Sequence, residues 1–221
     1  MNTQIELAGE VLTPLPSGAL WWADCQLLVV GDLHLGRSER TAREGGALLP
    51  PYESIHTLNR LETEIARTHP RTVVLLGDTF DDLQSARALA EDVLERLRRI
   101  AAGRRMIWIA GNHDPGPVEL PGAHLAELTE GPLTFRHIAE PSGSAEISGH
   151  YHPKARLRLK GQYISRPCFL ADTQRVILPA FGTYTGGLDI TSPVFSGLFN
   201  AGGTAYLTGL RIHALPLRNP A

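Results

Sequence analysis

The sequence predicts an α/β fold in which a sheet covered by helices packs on a second, more antiparallel sheet. Between Leu27 and Ala110, apolar runs alternate with amphipathic segments, which is the strand and helix order of such a sheet. After Asn112, short apolar segments are separated by glycine and proline, as in antiparallel strands. We expect residues 1–221 to form a single domain, because 221 residues with 43% hydrophobic content can bury one core.

The first half of the chain supplies the predicted helix-covered sheet. Short strands are expected at residues 4–7, 19–22 and 27–30, separated by proline and glycine, followed by a long polar loop at 36–49. Apolar residues at three- and four-residue steps predict one helix that opens near Pro50-Pro51 and ends before His69-Pro70, and a second at 85–102. Strands are expected at 72–76 and 105–110.

The second half predicts the other sheet, with strands at residues 134–137, 145–148, 156–159 and 175–178. The formal net charge of −2 excludes a broadly basic surface, so any site for a polyanion must be local. The two cysteines, Cys25 and Cys168, are expected to be reduced and packed. The N-terminus has no basic segment followed by an apolar stretch, and no apolar run approaches the ~20 residues that span a bilayer, so we expect a soluble, cytoplasmic protein.

Four apolar segments each end at a glycine, and the residue after each glycine can bind a metal. The pairs are Gly31-Asp32, Gly77-Asp78, Gly111-Asn112 and Gly149-His150. The residue after such a glycine projects from the carboxyl end of its strand, and in open α/β sheets ligands bind at that edge. We therefore expect these four side chains to converge.

Residues just beyond these pairs extend the pattern, namely His34, His113, Asp114 and His152. Asp32 and His34 are two residues apart, so in extended chain both side chains point to the same side. Carboxylate and imidazole together suit Mn²⁺, Fe or Zn²⁺ better than Mg²⁺ or Ca²⁺. Each pair alone is often only a turn or a helix cap, but the ordered combination predicts a bound metal pair.

The motifs G-D-x-H, G-D, G-N-H-D and G-H-x-H resemble those of the calcineurin-like binuclear metallophosphoesterase superfamily. The resemblance implies a four-layer αββα sandwich, with two mixed sheets flanked by helices, and two divalent metal ions. The first ion would be bound by Asp32, His34 and His152, and the second by Asn112, His150 and one further histidine, with Asp78 bridging both.

The further histidine lies between G-N-H-D and G-H-x-H, where His124 and His137 are the candidates. His137 ends an alternating segment, and the other ligands lie at strand ends, so we predict that His137 is the ligand. His124 is expected in a loop or short helix that begins near Pro121, as a surface residue.

The resemblance also implies the reaction. Two cations about 3.5–4 Å apart lower the pKa of a bridging water toward ~7, and the hydroxide attacks phosphorus. His113 is not needed as a ligand, and by resemblance it stabilises the developing charge or protonates the leaving oxygen. Asp114 is expected to orient its ring.

Four segments carry a closer resemblance, at residues 36–51, 149–153, 165–169 and 179–187. They are similar to the bacterial ligase-associated DNA damage response endonucleases, the PdeM family, and this likeness reaches over nearly the whole chain. It implies a manganese-dependent DNA endonuclease that acts on single-stranded or flapped DNA. It also implies functional association with an ATP-dependent DNA ligase, a helicase and a nuclease of the same repair group.

Two groups of basic residues are candidates for contact with DNA. The first is Arg37, Arg40 and Arg43 in the predicted loop, which is alternatively a solvated segment neutralised by Glu39 and Glu44. The second is Arg156, Arg158 and Lys160, which alternate and would line one face of a strand near His152. These residues are alternatively the solvent-exposed face of an edge strand, where charges discourage aggregation.

Two other functions fit the same motifs. A small-molecule phosphodiesterase or phosphatase would need a closed pocket and no extended basic groove. A non-catalytic metal-binding scaffold that recruits repair partners would have no need of His113 and Asp114, which are both present. The oligomeric state is left open.

Overall fold

The computed structural model describes residues 3–46, 49–50, 52–114, 119–159, 161–199 and 202–217. Within these ranges, two mixed sheets of seven and eight strands form the centre of the molecule. This confirms the predicted fold class. None of the described helices is long and apolar enough to cross a membrane.

The first sheet has its strands in sequence order. They are β1 (Ile5–Leu7), β2 (Glu10–Pro14), β3 (Leu20–Trp22), β4 (Leu27–Val30), β5 (Thr72–Leu75), β6 (Arg105–Ile109) and β7 (Ala123–Leu125). β1 to β4 form an antiparallel meander, and β4 to β7 run parallel. Val30 pairs with Leu75 and Leu75 with Trp108, so β4, β5 and β6 end level with one another.

Helices cover one face of this sheet. They are α1 (Arg37–Arg43), α2 (Glu53–Thr68), α3 (Leu83–Ala88) and α4 (Glu91–Ala101). Val73 and Leu75 of β5 pack toward Leu58 and Leu97 of the helices, whereas Val74 faces the second sheet. Because both faces are covered, the central strands β4, β5 and β6 are almost entirely apolar.

Two predictions for the helices were wrong. The expected polar loop at 36–49 contains α1, which has no apolar stripe and therefore no periodic signal. The expected helix at 85–102 is two helices, because Leu89 and Ala90 have extended backbone between α3 and α4.

The second sheet has the order β15-β14-β12-β13-β10-β9-β8. The strands are β8 (Glu127–Glu130), β9 (Leu133–Arg136), β10 (Glu146–Ser148), β11 (Lys154–Leu159), β12 (Gln162–Ala171), β13 (Arg175–Ile177), β14 (Thr204–Leu207) and β15 (His213–Pro216). β10 runs parallel to β9 and β13, and the other pairs are antiparallel. β11 pairs with β12, outside the main strand order.

The two sheets share an apolar core that includes Val29, Ile107, Phe135, Ile147 and Phe169. The outer face of the second sheet packs against the short helix α5 (Pro193–Ser196). His124 lies in β7 and not in the expected loop or short helix, and its ring stacks on Trp108 with the ring centroids 5.9 Å apart. Of the two cysteines, Cys168 is buried as expected and Cys25 is exposed.

Candidate metal centre

The candidate site lies where the two sheets present their strand ends to each other. Asp32, Asp78 and Asn112 follow β4, β5 and β6 of the first sheet, while His137 and His150 follow β9 and β10 of the second. The level strand ends of the first sheet and the parallel pairing of β9 with β10 bring these residues together. Gly149 donates its backbone N–H to the carbonyl oxygen of His137 at 3.0 Å, which joins the two turns of the second sheet.

Asp32, His34 and His152 form one cluster that could bind a metal ion. Nε2 of His152 lies 2.9 Å from Oδ2 of Asp32. The ring of His34 stands edge-on to that of His152, with the centroids 5.2 Å apart. Asp32 is completely buried, and its other oxygen, Oδ1, accepts the backbone N–H of His150 at 3.0 Å.

A second cluster consists of Asp78, His137 and His150, with Asn112 beside it. Nε2 of His137 lies 2.9 Å from Oδ1 of Asn112, 3.2 Å from Nδ1 of His150 and 3.3 Å from Oδ2 of Asp78. Nδ1 of His137 donates to the carbonyl oxygen of Leu76 at 2.7 Å, which leaves the Nε2 lone pair of the neutral ring for a metal.

The two clusters adjoin each other. Oδ2 of Asp32 lies 3.9 Å from Nδ1 of His137. Oδ1 of Asp78 accepts the backbone N–H of His113 at 2.8 Å, just as Oδ1 of Asp32 accepts that of His150. In each carboxylate, one oxygen is therefore held by the backbone, and the other faces the imidazoles.

The donor atoms fit bound cations. Among the buried atoms of the described residues, Oδ2 of Asp32, Nε2 of His34 and Nε2 of His152 have no hydrogen-bond partner, because the 2.9 Å contact between Asp32 and His152 lacks hydrogen-bond geometry. Buried polar atoms normally have a partner, and here three of them belong to one cluster of mixed oxygen and nitrogen donors. A divalent cation would satisfy all three at once.

Charges within the clusters shift the pKa values of their members. Burial alone would raise the pKa of Asp32, but contact with His152 and the nearby imidazoles lowers it to about 2. Burial alone would lower the pKa of His137, but Asp78 and Asp32 raise it to about 9. A cation at the second cluster must therefore compete with the proton on His137.

The motif glycines allow ligands of neighbouring strands to approach one another. A Cβ atom on Gly111 would collide with the side chain and backbone of Asp78, and one on Gly149 would collide with Oδ1 of Asp32. Neither Gly111 nor Gly149 has a positive φ angle. Their role is therefore to allow close approach of the neighbouring strands.

Four of the candidate ligands have left-handed backbone. The φ angles are 46° at His34, 42° at Asp78, 69° at His150 and 46° at His152. Residues with a Cβ atom rarely adopt this conformation, and each instance costs about 1–3 kcal/mol. The surrounding structure therefore holds these four residues in place against a local cost.

Asp81 belongs to the site, although the sequence did not single it out. This buried carboxylate lies 2.9 Å from Nδ1 of His34, 3.2 Å from Nη1 of Arg37 and 3.5 Å from Nη1 of Arg40. Burial opposes its ionisation, but His34 and the two arginines lower its pKa. A carboxylate behind a metal-binding imidazole orients the ring and increases its basicity. The signal that could have identified Asp81 is the pair of further acidic residues in the sequence T-F-D-D, directly after Gly77-Asp78.

His113 lies at the edge of the first cluster, with its ring centroid 5.3 Å from that of His34. Its Nδ1 atom is 2.9 Å from the carbonyl oxygen of Asp81 and 3.1 Å from Nη1 of Arg40. This leaves Nε2 as the ring atom for a substrate. His113 also lines a cavity of about 370 Å³, together with ligands of both clusters.

The expected role of Asp114 as the residue that orients His113 needs correction. Its carboxylate accepts the backbone N–H groups of Phe80 at 3.1 Å and Gly111 at 3.2 Å. Burial raises its pKa to about 6. Asp114 thus links the turns after β5 and β6, while Asp81 and Arg40 contact the ring of His113.

The three arginines of α1 lie beside this cavity, which Arg37 and Arg40 line. Arg43 contacts Asp82 at 2.6 Å and does not line it. The neutralising acids are therefore mainly Asp81 and Asp82, in addition to Glu44, which contacts Arg40 at 2.9 Å.

The position of α1 is fixed by a buried acid of α2. The carboxylate of Glu53 accepts hydrogen bonds from the backbone N–H of Ser38 at 3.3 Å and from its hydroxyl at 2.8 Å. Glu53 is only 2% exposed, so this connection between α1 and α2 is shielded from water.

The second group of predicted substrate residues lies farther from the clusters. Arg156 and Arg158 are exposed on β11, two and four residues beyond Lys154, which lines a second cavity together with His152. Lys160 lies outside the described residues.

The chain is similar to known phosphoesterases in sequence and in fold. A model of the calcineurin-like phosphoesterase family matches residues 26–206. The crystal structure of Pseudomonas putida nuclease MPE is 30% identical with a TM-score of 0.74, and the match covers 97% of this chain and 98% of that one. YfcE, a phosphoesterase from E. coli, is 13% identical with a TM-score of 0.40, covering 87% of this chain and 99% of that one. No match was found among curated protein sequences. The chain belongs to the calcineurin-like phosphoesterase family and is a hydrolase of phosphoesters.

Proposed function

We propose that the protein is a manganese-dependent DNA endonuclease that cleaves single-stranded or flapped DNA during repair. The observation that carries the proposal is the pair of adjoining ligand clusters, which face a cavity that Arg37 and Arg40 also line. A nuclease is among the similar solved structures, at 30% identity over almost the whole of both chains. Arginine next to a two-metal site suits a substrate that carries a phosphodiester.

The residues of the site have distinct proposed roles. Asp32, His34 and His152 would hold one cation, and Asn112, His137 and His150 the other, with Asp78 shared. When bound, the two cations supply Lewis acidity and an activated water. His113 would donate a proton from Nε2 to the leaving oxygen, while Asp81 and Arg40 fix its Nδ1 edge.

Manganese is the proposed metal because the donors mix carboxylate, amide and imidazole. Such a set accepts Mn²⁺, Fe or Zn²⁺, and it suits Mg²⁺ or Ca²⁺ poorly. Resemblance to the ligase-associated endonucleases favours manganese among the three. It also supports a cytoplasmic role in association with an ATP-dependent DNA ligase, a helicase and a nuclease.

The substrate contacts proposed on α1 are Arg37, Arg40 and Arg43, and those proposed on β11 are Arg156 and Arg158. Arg37 and Arg40 reach the cavity while they also contact Asp81, so their charges are only partly free for a phosphate.

The test is cleavage of single-stranded, flapped and duplex DNA with Mn²⁺, Fe²⁺, Zn²⁺ or Mg²⁺, beside hydrolysis of bis-p-nitrophenyl phosphate. We expect Mn²⁺ to support cleavage of single-stranded DNA, and Asp78→Ala to abolish both activities. Hydrolysis of the small ester without DNA cleavage would favour a small-molecule phosphodiesterase. If the Mn²⁺-loaded protein hydrolyses no phosphoester, the scaffold alternative replaces the proposal.

A further inference from the structure

The segment from Lys154 to Pro167 has a charge unlike that of the rest of the chain. It contains five basic residues and no acidic residue, whereas the whole chain has a formal net charge of −2. The basic residues are Lys154, Arg156, Arg158, Lys160 and Arg166. A local positive charge on a mildly acidic protein marks a place where a polyanion can bind.

This segment forms a hairpin, which consists of β11 and the first part of β12. Lys154 pairs with Pro167 and Leu159 with Gln162, so β11 is paired along its whole length. The later part of β12 continues into the second sheet, where Leu170 pairs with Ile177. The hairpin is therefore an extension of the sheet that is anchored at one end.

The anchored end lies next to the metal centre. β11 begins two residues after the ligand His152, and Lys154 and His152 line the same cavity. At about 3.3 Å per residue, the six residues of β11 extend about 20 Å from that point. A single strand of nucleic acid that leaves the clusters along β11 would therefore have room for several nucleotides beside this strand.

One face of the hairpin combines charge with an uncovered aromatic ring. Arg156 stands opposite Ser165, and Arg158 stands opposite Tyr163, so all four lie on the same face. Tyr163 is 79% exposed, and the guanidinium of Arg158 lies 5.8 Å from the centre of its ring. The side chain of Arg156 is 69% exposed, and its Nε atom lies 3.4 Å from Oδ2 of Asp189.

A protective role for an edge strand explains only part of this face. Charged residues on an exposed edge discourage pairing with other chains, and that accounts for Arg156 and Arg158. It does not account for Tyr163, because an exposed aromatic ring favours association. Aromatic rings beside basic side chains are the platforms on which proteins stack the bases of single strands.

We propose that the face formed by Arg156, Arg158 and Tyr163 binds single-stranded nucleic acid and guides it to the metal centre. Tyr163 stacks a base, and the arginines contact phosphates on the strand that leads to His152. This inference rests on the proposed function, since it assigns a route to the same cleaved strand.

The first test measures binding of fluorescent single-stranded oligonucleotides to the full-length protein without added metal, which separates binding from cleavage. One oligonucleotide carries bases, and the other is abasic along the same backbone. We expect the wild type to prefer the base-bearing strand. Tyr163→Ala should weaken binding of that strand about tenfold and leave the abasic strand unaffected, and Tyr163→Phe should restore it.

The arginines are tested by the dependence of binding on salt. Arg156→Ala and Arg158→Ala should each reduce the slope of log affinity against log salt by about 0.7, the value for a single-strand phosphate contact. Arg71→Ala is the matched control, because Arg71 is exposed just before β5, at the edge of the first sheet opposite the ligands. It should leave the slope unchanged.

Cleavage distinguishes failure of this inference from failure of the proposed function. With Mn²⁺, the hairpin variants should lower the ratio of DNA cleavage to bis-p-nitrophenyl phosphate hydrolysis about tenfold. If the wild type cleaves DNA and the variants bind and cleave it equally well, the inference is wrong while the proposed function stands. If the wild type cleaves only the ester, the proposed function is wrong. Dependence of the oligomeric state on Tyr163 would instead assign the face to a second copy of the chain.

Discussion

The strand ends that carry the ligands and the segments that flank them are built in different ways. At the strand ends, backbone hydrogen bonds hold the carboxylates of Asp32 and Asp78, and neighbouring glycines leave the space that these carboxylates occupy. On α1 and the β11–β12 hairpin, partly or fully exposed arginines depend on ion pairs or have few partners. The first region can hold cations at fixed distances, and the second can adapt to a long substrate. Substitutions should therefore affect metal content and kcat in the first region, and KM and salt dependence in the second.

The largest effect is expected for Asp78→Ala, which removes the carboxylate proposed to be shared by both cations. Activity should fall by more than about 10³-fold, because the metals supply several kcal/mol of transition-state stabilisation. The bound metal, measured by elemental analysis after gel filtration, should also decrease. Full metal content and near-normal activity would contradict the shared role.

His113→Ala should give the next largest effect, a loss of about 10²–10⁴ in kcat, since it removes the proposed proton donor. Metal content should stay at the wild-type value, because His113 belongs to neither ligand cluster. The matched control is His124→Ala, a histidine that stacks on Trp108 away from the cavity and should leave kcat unchanged. Loss of metal in His113→Ala would assign it to the ligands instead.

Asp81→Ala tests the connection between the two regions. It removes the carboxylate behind His34 and leaves Arg37 and Arg40 without that partner. We expect Mn²⁺ affinity, from a titration of activity, to fall about 10–100-fold. The neighbouring Asp82→Ala is the control. It removes the cap of α3 at a cost of about 1 kcal/mol, which a thermal melt would detect, but Asp82 contacts no ligand.

The smallest effects are expected on α1. Arg40→Ala should raise the KM for single-stranded DNA several-fold and reduce the salt slope by about 0.7. Arg43→Ala should change both less, since Arg43 pairs with Asp82 and does not line the cavity. Equal effects of the two variants would show that α1 attracts DNA by its total charge and that cavity position is unimportant.

The sequence predicted the first region much better than the second. Periodic apolar segments and terminal glycines located β4, β5, β6 and β10, because each strand is buried on both faces and its sequence reflects that burial. The helix α1 was missed because its contacts are polar, and Asp81 was missed because a buried acid has no periodic pattern. β7 and β8 were also missed, since most of their residues are exposed or only partly buried and form no continuous apolar run.

Other features depend on contacts between distant segments. Asp81, and not the predicted Asp114, contacts the ring of His113. This depends on how the turns after β5 and β6 meet, which the spacing of residues along the chain cannot show. Tyr163 acquires significance only when β11 pairs with β12 and places it opposite Arg158. The predicted single domain stays a prediction.

The left-handed backbone at four ligands has a consequence for the supply of folded protein. His34, Asp78, His150 and His152 each carry a conformational cost that the bound cations would offset, since a ligand specific for the folded state stabilises it by mass action. When the bound metal is scarce, more chains would unfold and be degraded. The cellular amount of this enzyme would then follow the metal supply, in addition to its activity per molecule.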